Sequence, residues 1–300
     1  MKLIVAGTGY VGLVQAAVCS EYGHEVYAYD VDNGKIDAFS TGRADEIEKF
    51  VMEPGLSNII RETHGKSLFF SNDLKAIIEG TDAIFLCLPT PSNLDGSTNL
   101  TYFDAAAEEI AEILARRNDK RRIVLVCKST VPIQTARRLE DIMNKHGVVN
   151  FGVASNPEFL AEGTAVNQAR RPDRVVVGCD HEEDFKILRR VYSQFVHHVR
   201  IKYIETTPET AEAIKYVANT MLLTYISFWN GVGAKIGEKI SNVNIDDLRL
   251  GVTADDRIST WGSFVSNGAG GSCFGKDIAS LIYQLRRMNV STKMLEASFE

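Results

Sequence analysis

The first two hundred residues alternate short apolar runs with amphipathic stretches. Lys2–Ala6, Glu25–Tyr29, Leu68–Phe70, Ala83–Leu88, Arg122–Cys127 and Phe151–Ala154 read as strands. Val175–Gly178 adds a further strand, and Arg200–Tyr203 closes the series. Helical spacing falls between them, near 11–22, 33–41, 54–63, 101–116 and 132–145. Short apolar runs separated by helices predict a parallel sheet covered on both faces.

From Thr207 the pattern changes. Pro208 stands where a helix can begin, and no proline follows through residue 240. Apolar positions recur at helical spacing through Ile214, Val217, Ala218, Met221, Leu222 and Tyr225. A helix this long and apolar exceeds what one small domain needs, which predicts packing against a second copy as a homodimer. Gly231, Gly233 and Gly237 offer places for a kink or break near its end. Helical segments near 244–252, 275–289 and 291–299 follow. The expected fold class is therefore α/β. A Rossmann-type doubly wound parallel sheet over residues 1–204 precedes an all-helical domain over 205–300, joined by the long helix. The pattern is still helical at Glu300, so a fragment of a longer protein is an open reading.

Composition narrows the partners. Hydrophobic residues make up 45% and charged residues 24%, ordinary for a globular chain. A net charge of −6 leaves no basic footprint for nucleic acid, so any phosphate must be held by local loops. No run is long and apolar enough to span a membrane, and the N-terminus has no signal-peptide layout, so a cytoplasmic location is expected. The cysteines, at 19, 87, 127, 179 and 273, are scattered and show no metal-ligand spacing. That suits a reducing compartment and no metal. Cys87 and Cys127 lie in apolar runs and read as core residues.

Two segments carry candidate chemistry. Gly7-Thr8-Gly9-Tyr10-Val11-Gly12 follows the first strand and opens a helix. Gly7 permits a tight turn, Gly9 lets backbone approach a pyrophosphate, and Gly12 lets helix and strand pack closely. Asp30 ends the second strand at the offset where an acid accepts ribose hydroxyls and repels a 2′-phosphate, which favours NAD. Lys35 is in reach of the same ribose, or is a solvated lysine. The second segment is Asn267-Gly-Ala-Gly-Gly-Ser-Cys273-Phe-Gly-Lys276-Asp277, followed by an amphipathic helix. A thiol at a helix N-terminus beside a lysine is placed to ionise and act as a nucleophile. A small buried residue in a tight turn is the plainer alternative. A nicotinamide cofactor together with a nucleophilic thiol suggests oxidation past the aldehyde, through a thioester, to an acid.

Polar residues also collect after three strands, at Leu88-Pro89-Thr90-Pro91-Ser92, Lys128-Ser129-Thr130-Val131-Pro132 and Ser155–Thr164. Lys215 and Asn219 share a helix face. Taken singly each has a plain reading: Ser129 and Thr130 as helix caps, Glu158 as a loop acid, Lys215 as a solvated lysine.

Together with Glu53-Pro54-Gly55-Leu56, Arg257 and Gly270–Asp277, these segments run in order through essentially the whole chain. On them the sequence resembles the UDP-glucose/GDP-mannose dehydrogenase family, and fits its UDP-glucose branch better than the N-acetylmannosamine or GDP-mannose branches. The resemblance implies a four-electron oxidation of a nucleotide sugar such as UDP-glucose at C6, with two NAD per turnover. It implies that Cys273 forms a thiohemiacetal and then a thioester, that Glu158 is the base for hydrolytic water, and that Lys215 and Asn219 stabilise the oxyanion. Asp277 and Thr130 would position water and protons. The implied cofactor contacts are Gly7, Gly9, Tyr10, Val11, Gly12, Asp30, Lys35, Pro89, Thr90, Ser129, Thr130, Glu162 and Lys276. The implied substrate contacts are Glu158, Phe159, Leu160, Glu162, Lys215, Asn219, Gly270 and Arg257, the last reaching from a partner subunit in some members.

Two departures stand out. Ala269 occupies a position that is usually aromatic. The family also normally continues into a second Rossmann-like, UDP-binding domain, for which nothing here can stand. The expectation is NAD binding with weak nucleotide-sugar binding or slow turnover. Rival readings are another nucleotide-sugar dehydrogenase, a β-hydroxyacid or phosphogluconate-type dehydrogenase that needs no thiol, and an inactive NAD-binding dimerisation module. No Tyr-x-x-x-Lys pair for a short-chain epimerase is found.

Overall fold

The computed structural model describes residues 1–119, 121–266, 268–269 and 273–299. It divides into two compact units, Met1–Thr90 with Leu100–Ala213, and Pro91–Asn99 with Ile214–Glu300.

The first unit is built on eight strands: β1 Lys2–Ala6, β2 Glu25–Tyr29, β3 Leu68–Ser71, β4 Ala83–Leu86, β5 Ile123–Cys127, β6 Phe151–Ser155, β7 Arg174–Cys179 and β8 Lys202–Thr206. They form one sheet in the order β3-β2-β1-β4-β5-β6-β7-β8. Side chains alternate across it. Leu3, Val5, Val26, Ala28, Phe85 and Val126 join one buried cluster with Leu13, Val14 and Ala17 of the helix Tyr10–Glu21. Ile4, Ala6, Ile84, Leu86, Leu125 and Cys127 join the other, with Phe103, Ala107 and Ile110 of Thr101–Ala115 and Leu139 of Thr135–Lys145. Both faces are covered, which is why the strands read as continuous apolar runs. The order reverses between β1 and β4, and this switch point opens a crevice at the carboxyl ends of the strands.

One pairing departs from the expected parallel sheet: β6 and β7 run antiparallel, Ala154 opposite Cys179 and Ser155 opposite Gly178. Residues 156–164 are loop, which leaves the six-residue helix Ala165–Arg170 for the return. At about 9 Å it is too short to run back along a strand of about 17 Å. The final strand also lies later than expected, at Lys202–Thr206, because its half-exposed edge position weakens its apolar pattern.

The long helix Pro208–Phe228 begins in the first unit and enters the second at Ile214, and it does not continue evenly to residue 240. It passes into a wider π turn at Trp229–Gly233 and resumes as Ala234–Lys239. The buried Trp229 ring fills the space that a Cβ on residue 233 would need, so glycine is required there. Helices Ile245–Thr253, Phe274–Arg287 and Lys293–Phe299 follow. Leu223, Ile278 and Ile282 form a small core, with Phe274, Leu295 and the half-buried Ala269 against it. The segment 91–99 docks here, Thr98 Oγ1 lying 2.8 Å from Ser280 Oγ, which also meets the Tyr216 hydroxyl at 3.1 Å. Among the described residues no helix is long and apolar enough to cross a membrane.

Candidate active site

The glycine loop lies at the end of β1. Gly7 adopts a positive φ of 95°, and an added Cβ would overlap the Cys87 carbonyl. At Gly12 it would overlap the Gly7 carbonyl oxygen. At Gly9 it would meet nothing within 4 Å, so the space in front of the loop is open. No side chain caps the helix Tyr10–Glu21, so the first-turn N–H groups of Val11 and Gly12 face the loop without a side-chain acceptor at the cap, as an anion site requires. Asp30 closes the loop from β2. Its Oδ2 accepts from Thr8 N at 2.8 Å, Thr8 Oγ1 at 2.7 Å and Lys35 Nζ at 3.3 Å, and Oδ1 accepts from Asp32 N at 3.0 Å. Burial pushes this carboxyl up, but the Thr8 and Asp32 hydrogen bonds and the Lys35 charge outweigh it and hold it below the usual range. Open space before Gly9, uncapped N–H groups and an ionised acid at the end of β2 fit a dinucleotide.

The other loops of this unit hold one another. Ser129 Oγ accepts from Leu88 N at 2.7 Å and lies 2.8 Å from Leu88 O, while Thr90 Oγ1 donates to Thr130 O at 2.9 Å. Ser129 therefore ties two strand ends together instead of capping the following helix, which begins at Thr135 behind Gln134. Pro89 is exposed. In the Ser155–Thr164 segment Glu158 is buried and its Oε2 accepts from Leu160 N at 2.6 Å. Phe159 lies under the Arg174 guanidinium, 3.8 Å from ring centre to Cζ, and Glu162 is exposed.

The second unit gathers the remaining polar residues. Asp277 is fully buried, its Oδ2 accepting from Asn219 Nδ2 at 2.6 Å and its Oδ1 from Lys276 Nζ at 2.7 Å. Asp277 N donates to Cys273 O at 2.9 Å, so the thiol residue stands one turn before the acid, at the head of Phe274–Arg287. Cys273 is exposed, whereas Cys19, Cys87, Cys127 and Cys179 are buried. Burial pushes the thiols of Cys19 and Cys87 up to about 12, which makes them poor nucleophiles. Lys215 is buried on the long helix. Arg257 is exposed and turned onto its neighbour Asp255. Gly270 lies outside the described residues.

Profiles of two domains cover nearly all of the chain. That of the NAD binding domain of the UDP-glucose/GDP-mannose dehydrogenase family matches residues 1–196, and that of its central domain matches residues 209–300. The chain belongs to the UDP-glucose/GDP-mannose dehydrogenase family. A UDP-glucose 6-dehydrogenase of Pseudomonas aeruginosa is 35% identical over 99% of this chain and 64% of its own length. A UDP-glucose dehydrogenase structure from Pyrobaculum islandicum superposes with a TM-score of 0.90 at 33% identity, over 99% of this chain and 66% of that one. A GDP-mannose dehydrogenase from Pseudomonas aeruginosa gives 0.78 at 29% identity, over 99% and 67%. The chain thus spans about two thirds of the length of these family members.

The sequence reading missed Glu212. Its carboxylate is buried and accepts from Gln134 N at 2.6 Å, Ala136 N at 2.8 Å and Ser155 Oγ at 3.1 Å. It therefore joins the start of the helix Thr135–Lys145 to the end of β6. Burial pushes it up to about 7 against the pull of these donors. A signal was available. Residues 212, 215, 216, 219, 220 and 223 are all buried, and at helical spacing they make one stripe. An acid, a base and an amide on an inward stripe are expensive unless paired. Two of the polar segments read from the sequence meet in a buried group in which Asn156 Oδ1 accepts from Lys128 Nζ at 2.9 Å and from the hydroxyl of Tyr192, which the sequence had not marked, at 2.5 Å.

Proposed function

We propose that this chain carries out NAD-dependent oxidation of a nucleotide sugar at its C6 alcohol, taking UDP-glucose through the aldehyde to the glucuronate. The observation that carries the reading is Cys273, an exposed thiol at the head of a helix whose next turn holds a buried acid between an amide and an ammonium group. The family and the printed names of its UDP-glucose members support the substrate class.

NAD held in this loop would supply the hydride acceptor, and oxidation of a primary alcohol to an acid requires two hydride transfers. Gly7–Gly12 and Asp30 hold the cofactor, with Lys35, Thr90 and Thr130 beside it. Cys273 Sγ adds to the aldehyde carbon and keeps the substrate attached between the two oxidations. Lys215 and Asn219 balance the charge that develops on the oxygen. The Asp277 carboxylate holds Asn219 and Lys276 in place for this. Glu158 takes the proton of the water that opens the thioester, and the thiolate leaves. Phe159, Leu160 and Glu162 present the loop to the sugar nucleotide.

The test is NADH released per sugar. Two per UDP-glucose are expected, and Cys273→Ala should give at most one and no glucuronate. A fully active Cys273→Ala variant would instead favour a hydroxyacid-type dehydrogenase. The exposed Val217 and Met221, one turn apart on the long helix, support pairing with a second copy. Light scattering should report a dimer that Met221→Glu weakens; a parent that stays monomeric at high concentration removes that reading.

A further inference from the structure

The Pro157–Thr164 loop has no regular structure, so its backbone donors need partners outside a ladder. Side chains supply three of them, while Thr164 N turns back onto Ala161 O. Leu160 N donates to Glu158 Oε2 and Ala161 N to Gln168 Oε1, each at 2.6 Å. The far end of the loop is closed from a distant part of the chain. Glu53 Oε2 accepts from Gly163 N at 2.8 Å, and Glu53 Oε1 accepts from Ala165 N at 2.6 Å. Glu53 is 4% exposed, so its carboxylate and the bond to Ala165 N lie away from competing water, while the bond to Gly163 N is half-buried. Gly163 turns the chain at a φ of 85°, a conformation that glycine adopts readily and that the carboxylate spans. Gly55, which follows Glu53 closely, itself has a positive φ of 84°, and the helix behind it begins at Leu56. Leu56 and Val51 share their buried cluster with Ala165 and Val166, so apolar packing fixes the carboxylate on both sides.

We infer that Glu53 is a positioning residue for nucleotide-sugar binding: its two carboxylate oxygens hold the Gly163–Ala165 turn and thereby set the loop that carries Glu158, Phe159, Leu160 and Glu162. The part played by the loop rests on the function proposed above; the clamp itself does not. Glutamine has nearly the same shape, but its NH2 group would face one of the two N–H donors. One bond is lost and donor is set against donor. Aspartate keeps the charge but is one methylene too short to span both donors.

The experiment uses Glu53→Gln and Glu53→Asp in the full chain, with two readouts. Hydrogen exchange on peptides spanning residues 159–166 should accelerate by ~10-fold or more in Glu53→Gln and remain unchanged elsewhere in the first unit. In turnover assays KM for UDP-glucose should rise ~10-fold while KM for NAD stays within about twofold. Glu53→Asp should fall between parent and Gln on both. Unchanged exchange in residues 159–166 overturns the inference. So does exchange that rises across the whole unit together with loss of NAD affinity, which would make Glu53 a general stabiliser of the fold. If the parent protein releases no NADH with UDP-glucose, the proposed function fails, and the exchange readout still decides the clamp.

Discussion

Replacing Glu212 by glutamine tests whether burial or hydrogen bonding controls that carboxyl. The group is 3% exposed and accepts from two backbone N–H groups and one hydroxyl. Burial disfavours its charged form and lifts it from 4.5 to about 7, while the donors pull the other way. A carboxyl raised on folding binds its proton more tightly in the native state. Its contribution to stability is therefore complete below pH 4.5 and is lost as pH rises through about 7. A shift of that size corresponds to about 3 kcal/mol between the two limits. Glutamine does not titrate. It misplaces one donor at a constant cost, so the pH dependence of the difference between the two proteins isolates the Glu212 carboxyl. Urea unfolding followed by far-UV circular dichroism at pH 5, 6, 7 and 8 gives that difference. The parent should lose about 2.5 kcal/mol relative to Glu212→Gln between pH 5 and pH 8, an offset of about 1 M in urea midpoint. Parallel curves would refute the buried titration. A difference that grows with pH would mean that the three donors overcome burial and that the group sits below its ordinary range.

Two other predictions bear on the two halves of the chemistry. Gly9→Ala should leave the melting temperature within about 1 °C, since its Cβ meets nothing within 4 Å, yet weaken NAD at least ~10-fold by blocking the approach to phosphate. Gly12→Ala, whose Cβ would overlap the Gly7 carbonyl oxygen, should instead cost about 2 kcal/mol or more of stability; melts and NAD titrations on both variants check the contrast, and unaltered NAD affinity in Gly9→Ala would count against the phosphate site. Asn219→Ala removes the 2.6 Å donor to the buried Asp277 carboxylate and should cost about 1–3 kcal/mol, with Asn219→Asp worse because two acids then face each other. Equal stability of parent and both variants in urea would show that the pair is not coupled.

Much of the sheet was legible because it is buried on both faces. Strands β1, β2 and β5 fall within a residue of their apolar runs, and the helix Tyr10–Glu21 starts inside the glycine segment Gly7–Gly12, one residue before its expected position. Legibility failed where burial did. Strand β8 has no buried position, and it begins two residues after the start of the run that marks it in the sequence. The reversal of β7 goes with the shortness of the helix in its connection, not with its own composition, which reads like any buried strand. The excursion of residues 91–99 into the second unit left no sign either, since its anchor is a hydroxyl pair between Thr98 and Ser280, far apart in sequence.

The candidate site divides along a similar line. Asp30, Glu53, Glu158 and Glu212 are buried carboxylates that accept backbone N–H groups from loops or helix starts. An N–H donor belongs to every residue except proline, so it leaves no mark in a sequence. Asp30 was found because the glycine loop before it has a fixed offset, and Glu158 because it stands in a family string. Glu212 has no such string of its own, and the segment around Glu53 identified the family without disclosing what the acid holds. Among the described residues Asp277 differs in being held by side chains alone, Asn219 and Lys276, whose identities are written in the chain, whereas Asp30 and Glu212 combine side-chain donors with backbone ones. The distinction has a mechanistic consequence. Backbone amides that hold a carboxylate stay fixed unless their loop moves, which suits a group that sets shape. A carboxylate held by a side-chain amide and an ammonium can exchange partners by rotation about side-chain bonds, which suits a group that shares protons and charge with a reacting thiol one turn away.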